Sequence, residues 1–98
     1  MKINIDFSIF CSTTSTYGYV TGLLDFNEIP RIGETVKLFD IENQIDEFDG
    51  ALKVESFVSD HNVLGFEPVV LSSLIMADSL AEELETKYGL FVVRYDEQ

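Results

Sequence analysis

The sequence predicts an α+β domain: a mostly antiparallel sheet or half-barrel of about six strands, covered by one main helix near the C-terminus. Three observations carry this expectation. Ile3, Ile5, Phe7 and Ile9 alternate with Lys2, Asn4, Asp6 and Ser8, the period-two signature of a strand buried on one face. Further runs of strand type follow, separated by turns rich in Gly, Pro and Asn. Near the end, Ala77, Leu80, Ala81, Leu84 and Tyr88 recur at helical spacing and lead directly into the apolar run Leu90–Tyr95.

Taken in order, the first strand runs to Phe10, which breaks the alternation, and Ser12 to Thr16 is a hydroxyl-rich stretch open to loop or exposed strand. Tyr17 to Phe26 reads as a second strand in which Gly18 and Gly22 mark bulges or close backbone approach. Asn27 to Gly33 is a connection with Pro30 and Gly33, followed by a short third strand over Thr35–Phe39. Residues 29–36, with their Pro-x-x-Gly turn, resemble the turn-strand opening of small bacterial β-rich domains, which implies local architecture and no activity.

Asp40 to Gly50 is strongly acidic, and Ile41, Ile45 and Phe48 fall at i, i+4, i+7, so a short acidic helix at 41–49 competes with an acidic loop. Leu52, Val54, Ser56 and Val58 alternate with Lys53, Glu55 and Phe57, giving a fourth strand. Val63 to Leu71 is a fifth, confined by Pro68 to an edge or bulge. The main helix is expected to begin near Asp78, with Ser79 and Glu82 at capping-box spacing and Gly89 as its stop. Glu82, Glu83, Glu85 and Lys87 lie mostly off the apolar stripe. The closing helix–strand step permits one parallel neighbour for the last strand. No repeat or composition break divides the chain, so residues 1–98 read as a single domain.

Six Lys and Arg against eighteen Asp and Glu give a net charge of −12, yet 46% of residues are hydrophobic and eight are Phe, so the chain is expected to fold. That balance excludes direct binding to nucleic acid and disfavours an anionic membrane surface. A basic protein is the complementary partner. Cys11 stands alone, which fits a reducing compartment, and no apolar run approaches membrane-spanning length; the expected location is cytoplasmic.

The sequence offers little chemistry. Cys11 and His61 could form a nucleophile pair, but no activating motif surrounds either. An EF-hand starting at Asp40 fails because its sixth position is Ile45, not glycine. One Cys and one His do not make a zinc site of the usual kinds. There is no phosphate-binding glycine loop. The chain is therefore expected to be neither an enzyme nor a holder of metal or cofactor.

Recognition remains. Asp40, Glu42, Asp46, Glu47 and Asp49 surround Phe48, which either anchors a partner or points into the core. Tyr17 and Tyr19, two apart on one strand, are expected to share a face and form a second contact surface. With its acidic segment and overall charge, the chain resembles, as a class, the small acidic bacterial immunity proteins and antitoxins. The resemblance implies occlusion of a basic toxin, such as a nuclease domain. Competing expectations are a DNA-mimic inhibitor, a small-ligand or enzyme domain, and a phage or mobile-element structural protein.

Overall fold

The computed structural model describes residues 1–12, 15–40 and 48–95. Among them, seven strands form one mixed, open sheet, and a single helix covers one of its faces. The elements are β1 (Lys2–Phe10), β2 (Thr16–Asp25), β3 (Thr35–Lys37), β4 (Ala51–Val58), β5 (Val63–Phe66), β6 (Val69–Val70), α1 (Leu74–Tyr88) and β7 (Phe91–Arg94). Their order across the sheet is β3-β4-β5-β1-β2-β7, and β6 pairs with β1 further along the same side as β5. The α+β, mostly antiparallel expectation holds. No described helix is long and apolar enough to cross a membrane.

β1 is the central strand. Its inward row, Ile3, Ile5, Phe7 and Ile9, is buried, as the alternation requires. α1 covers that row with Ala77, Leu80, Ala81 and Leu84, all fully buried, and Tyr88 packs at the margin. Val20 from β2, Leu52 and Val54 from β4, Leu64 and Phe66 from β5, and Phe39 complete the core.

The helix begins earlier than its apolar period suggests. Ser73 is the N-cap, and its hydroxyl accepts the Met76 N–H at 3.2 Å. Ser79, expected at the cap, lies inside the helix. The first turn escapes a period-based reading because Leu74 and Ile75 point to solvent and lie off the buried stripe. The stop is as expected: Gly89 is left-handed, at φ 68°, and its N–H reaches back to the Leu84 carbonyl.

Three further expectations are corrected. The parallel pairings belong to β1 with β5 and β6, whereas β7 is antiparallel to β2. The crossover from β6 through α1 passes over both β1 and β2, so β7 runs in the direction of β1 but lands beside its antiparallel neighbour. Pro68 splits the expected fifth strand into β5 and β6, since it has no N–H to continue a ladder. In β4 a register shift between Val54 and Ser56 leaves Glu55 unmatched. That extra residue inverts the alternation: Phe57 turns towards the core, while Ser56 and Val58 face solvent.

The turn before β3 is a closed β-turn. Glu34 N–H donates to the Arg31 carbonyl at 3.0 Å, and the Glu34 carboxylate accepts from Arg31 N–H at 3.0 Å. Most of the expected helix at 41–49 lies outside the described residues. Phe48, at its far end, makes an isolated β-bridge.

Gly18 and Gly22 prove to be points of close approach. A Cβ on Gly18 would lie 2.1 Å from the Val93 carbonyl oxygen, and one on Gly22 would lie 2.6 Å from the Leu90 side chain. Both contacts join β2 to the α1–β7 return. Gly18→Ala must therefore push β7 off β2 and is expected to cost about 1–3 kcal/mol by overpacking. Leu84→Ala is expected to cost about 2–5 kcal/mol through a core cavity, and Glu82→Ala, exposed on the same helix, less than about 0.5 kcal/mol. Urea titration of the three variants measures both effects. Similar losses for Leu84→Ala and Glu82→Ala would show that the buried face of α1 is misassigned.

Candidate functional site

The acidic segment lies in the chain between β3 and β4, and Asp40, Phe48 and Asp49 are its described residues. Thr35 pairs with Lys53, Val36 with Leu52 and Lys37 with Ala51, and beyond them the Leu38 and Phe39 N–H groups both donate to the Gly50 carbonyl. Residues 40 and 49 thus leave and rejoin a paired ladder. Gly50 supports this arrangement with φ 95°, a left-handed backbone that a side chain would strain.

Both described ends of the segment are held. On one side, Phe39 is buried between Phe7 and Tyr88, with ring centroids 6.1 and 5.0 Å away. The Tyr88 hydroxyl accepts the Asp40 N–H at 2.5 Å and lies 3.2 Å from the Asp40 carbonyl, to which Lys87 Nζ also donates at 3.0 Å. The C-terminal turn of α1 therefore clamps the backbone where the acidic run begins. On the other side, Phe48 is half-buried against the core, and the Asp49 carboxylate accepts the Ala51 N–H at 3.1 Å.

Of the residues expected to meet a partner, Asp40 and Asp49 are exposed at the two ends of the segment. Glu42, Asp46 and Glu47 lie outside the described residues. Phe48 is half-buried, packed against the core beside the cavity that Leu52 and Val69 also line. With Pro68 and Leu71 it walls this shallow cavity of about 660 Å³. The polar lining described there is Ser12, Ser72 and Glu67, and no second titratable group faces Glu67 among the described residues.

Tyr17 and Tyr19 do not share a face. Ile9 pairs with Gly18 and Phe10 with Thr16, which leaves Tyr17 as the extra residue of a bulge. The bulge rotates Tyr17 onto the helix-covered face, where it is 5% exposed. Tyr19 remains on the opposite face beside Tyr95, with centroids 6.0 Å apart.

Turned inward, Tyr17 joins a polar network that local sequence does not reveal. Its hydroxyl donates to Asp78 of α1 at 2.5 Å and accepts from Arg94 Nε of β7 at 2.9 Å. The other end of the Arg94 guanidinium grips Glu85 with two parallel bonds of 3.1 and 3.0 Å. Burial, and then the bond to Asp78, push the Tyr17 phenol above its ordinary range. The bond from Arg94 holds the Glu85 carboxyl below its ordinary range, and Arg94 is held more firmly protonated in return, chiefly by Glu85. The partners lie 61, 77 and 9 residues apart in pairs, so only the fold brings them together. The arrangement locks the helix onto the β2–β7 edge.

Cys11 and His61 are not brought together. Cys11 follows the C-terminal end of β1, half-buried, with its thiol 3.7 Å from the Ser15 carbonyl. His61 is exposed in the β4–β5 turn, whose Asn62 contacts Lys2 and Asn4 at the opposite end of β1. Seven residues of extended strand separate those ends, roughly 20 Å. Among the described residues, no three His, Cys, Asp or Glu side chains gather into a group that could hold a metal.

The Glu85–Arg94 pair has a defined pH signature. The folded pKa of Glu85 is depressed, so its stabilisation is present above the unfolded carboxyl value of about 4.3 and disappears as pH falls through the lower folded value. Both partners are more than a third exposed, which keeps the effect small. Glu85→Gln is expected to melt below wild type near neutral pH, with the gap closing in acid. Thermal melts across the pH range measure it; a gap that widens in acid would contradict the pairing. No protein-family model, characterised protein or solved structure matches this chain.

Proposed function

We propose that this chain is an acidic recognition domain that binds a basic protein, and that it acts by occlusion, without chemistry of its own. The observation that carries the reading is the acidic run Asp40–Asp49, whose described ends are pinned by Tyr88, Lys87 and the core. Like charges gathered in one short segment repel one another and add nothing to folding. Carried between β3 and β4, they favour encounter with a positive surface. Mounting the segment on a fixed base also limits the backbone freedom lost on binding.

The role closest to this physics is that of a cytoplasmic immunity protein or antitoxin covering a basic toxin domain, with a nuclease as the leading partner because its substrate-binding surface is basic. A DNA-mimic inhibitor uses the same complementarity but needs carboxylates distributed along an extended surface. The concentration of Asp40, Glu42, Asp46, Glu47 and Asp49 in one segment of the sequence favours the first reading.

The test is association kinetics with the partner captured from the native host and then purified. Asp46→Lys with Glu47→Lys is expected to slow association by about tenfold or more at low salt, while folding stability holds or rises. The wild-type rate should also fall as ionic strength shortens the Debye length below about 10 Å. A rate indifferent to both salt and the double substitution would reduce the charge to a solubility device.

A further inference from the structure

Pro68 opens a gap in the sheet. Before it, β5 pairs with β4, and that ladder ends where the Glu67 N–H donates to the Lys53 carbonyl at 3.0 Å. Beyond it, β6 pairs with β1, and the Leu71 N–H donates to the Phe10 carbonyl at 2.8 Å. Ala51 and Leu52, at the start of β4, therefore have β3 on one side and, among the described residues, no ladder partner on the other. The cavity of about 660 Å³ lies in this gap. Buried Leu52, Val69 and Leu71 and half-buried Phe48 line it, and exposed Pro68 and Val70 complete its apolar wall.

Its charge is of one sign. No Lys, Arg or His is among the described lining residues, and Glu67 is the charged one. The Glu67 carboxylate is half-buried and, among the described residues, makes no hydrogen bond or ion pair. Lys53 of the neighbouring strand meets Glu67 through its backbone carbonyl and forms no ion pair with it. Exposed Asp49 follows Phe48, and its carboxylate accepts the Ala51 N–H.

We propose that this cavity receives an apolar side chain flanked by Lys or Arg, presented by the basic protein that the acidic segment attracts. The inference rests on the basic-partner reading and adds to it the place where that partner is anchored. Phe48 belongs to both sites, since it sits within the acidic run and walls the cavity. The volume lies in the ~300–1,000 Å³ range of sites that bury small apolar groups. Its shallow form suits a side chain projecting from a protein surface. An apolar centre with a charged rim is the anatomy of interfaces whose energy is concentrated in one anchor.

Charge complementarity selects the occupant. Burial of the anchor supplies attraction, and Glu67 and Asp49 favour cationic neighbours beside it. The same carboxylates oppose an acidic ligand. A second copy of this chain carries the same charge of −12 and is repelled at long range. Steering and anchoring are thus separable: the acidic run governs the association rate, and the cavity governs dissociation.

NMR titration of the isotope-labelled full chain with three end-capped peptides, Lys-Phe-Lys, Lys-Ser-Lys and Glu-Phe-Glu, tests this. Lys-Phe-Lys is expected to shift the Ala51, Glu67, Val69 and Val70 amides with a Kd of about a millimolar. Each of the other two should bind there at least about tenfold more weakly. Val70→Ser should weaken Lys-Phe-Lys, and Glu67→Gln should bring Lys-Phe-Lys and Glu-Phe-Glu close together. Both variants should melt near wild type, because Val70 is exposed and Glu67 holds no partner among the described residues. Leu23→Ser, exposed on β2 away from the cavity, should leave binding unchanged. Absence of localised shifts at several millimolar Lys-Phe-Lys would overturn the proposal. Equal binding of Lys-Phe-Lys and Lys-Ser-Lys would also overturn it, while leaving the basic-partner reading in place without this anchor. Shifts of the same amides on concentrating the free protein would assign the cavity to a second copy and overturn it too. Failure of the basic-partner reading is seen separately, in the salt series of the association kinetics.

Discussion

The contact on which the rest of the structure depends is that between the inward row of β1 and the small-residue stripe of α1. Ile3, Ile5, Phe7 and Ile9 form a continuous apolar ridge, and Ala77 and Ala81 allow the helix to approach it closely while Leu80 and Leu84 fill the space on either side. Because β1 is central, hydrogen-bonded to β2 on one side and to β5 and β6 on the other, the same contact fixes the level of the whole sheet beneath the helix. Four fully buried side chains on a fifteen-residue helix are enough to hold it, since helices in small domains derive most of their stability from such packing.

The remaining devices adjust positions within that frame. Two bulges, at Tyr17 and Glu55, reverse the facing of the residues around them at a cost of one unpaired position each. The first delivers a phenol to the helix side, where Asp78 and Arg94 satisfy it. The second turns Phe57 inward on a strand whose regular alternation would have exposed it. Gly18 and Gly22 then let the α1–β7 return lie against β2 more closely than any side chain would permit. Polar and steric constraints thus converge on the β2–β7 edge, where Arg94, Glu85 and Tyr17 join two strands to the helix.

Charge and exposed apolar surface lie at opposite edges of the sheet. The acidic run is carried between β3 and β4 and clamped by the last turn of α1, whereas exposed Phe91 and Val93 of β7 lie at the far edge. Tyr88 illustrates how closely fold and site are joined. It ends the buried stripe of the helix, stacks edge-on against Phe39 and holds both backbone groups of Asp40.

What the sequence determined by itself was everything governed by local period and local stereochemistry. The burial of Ile3, Ile5, Phe7 and Ile9, the stripe from Ala77 to Leu84, the Gly89 stop and the close-approach glycines could all be read from residues within a few positions of one another. What tertiary structure alone decided was the phase of the strands and the identity of long-range partners. A bulge is a mismatch between two strands, so neither Tyr17 nor Glu55 announces it in its own strand. Ser73 outcompetes Ser79 as the cap because exposed Leu74 and Ile75 begin the helix before its buried period starts. The parallel pairing of β1 with β5 and β6 depends on which strands the helix crosses, and the Tyr17–Asp78–Arg94–Glu85 network spans most of the chain. Periodicity records which side of a residue is buried; only the assembled fold determines what it is buried against.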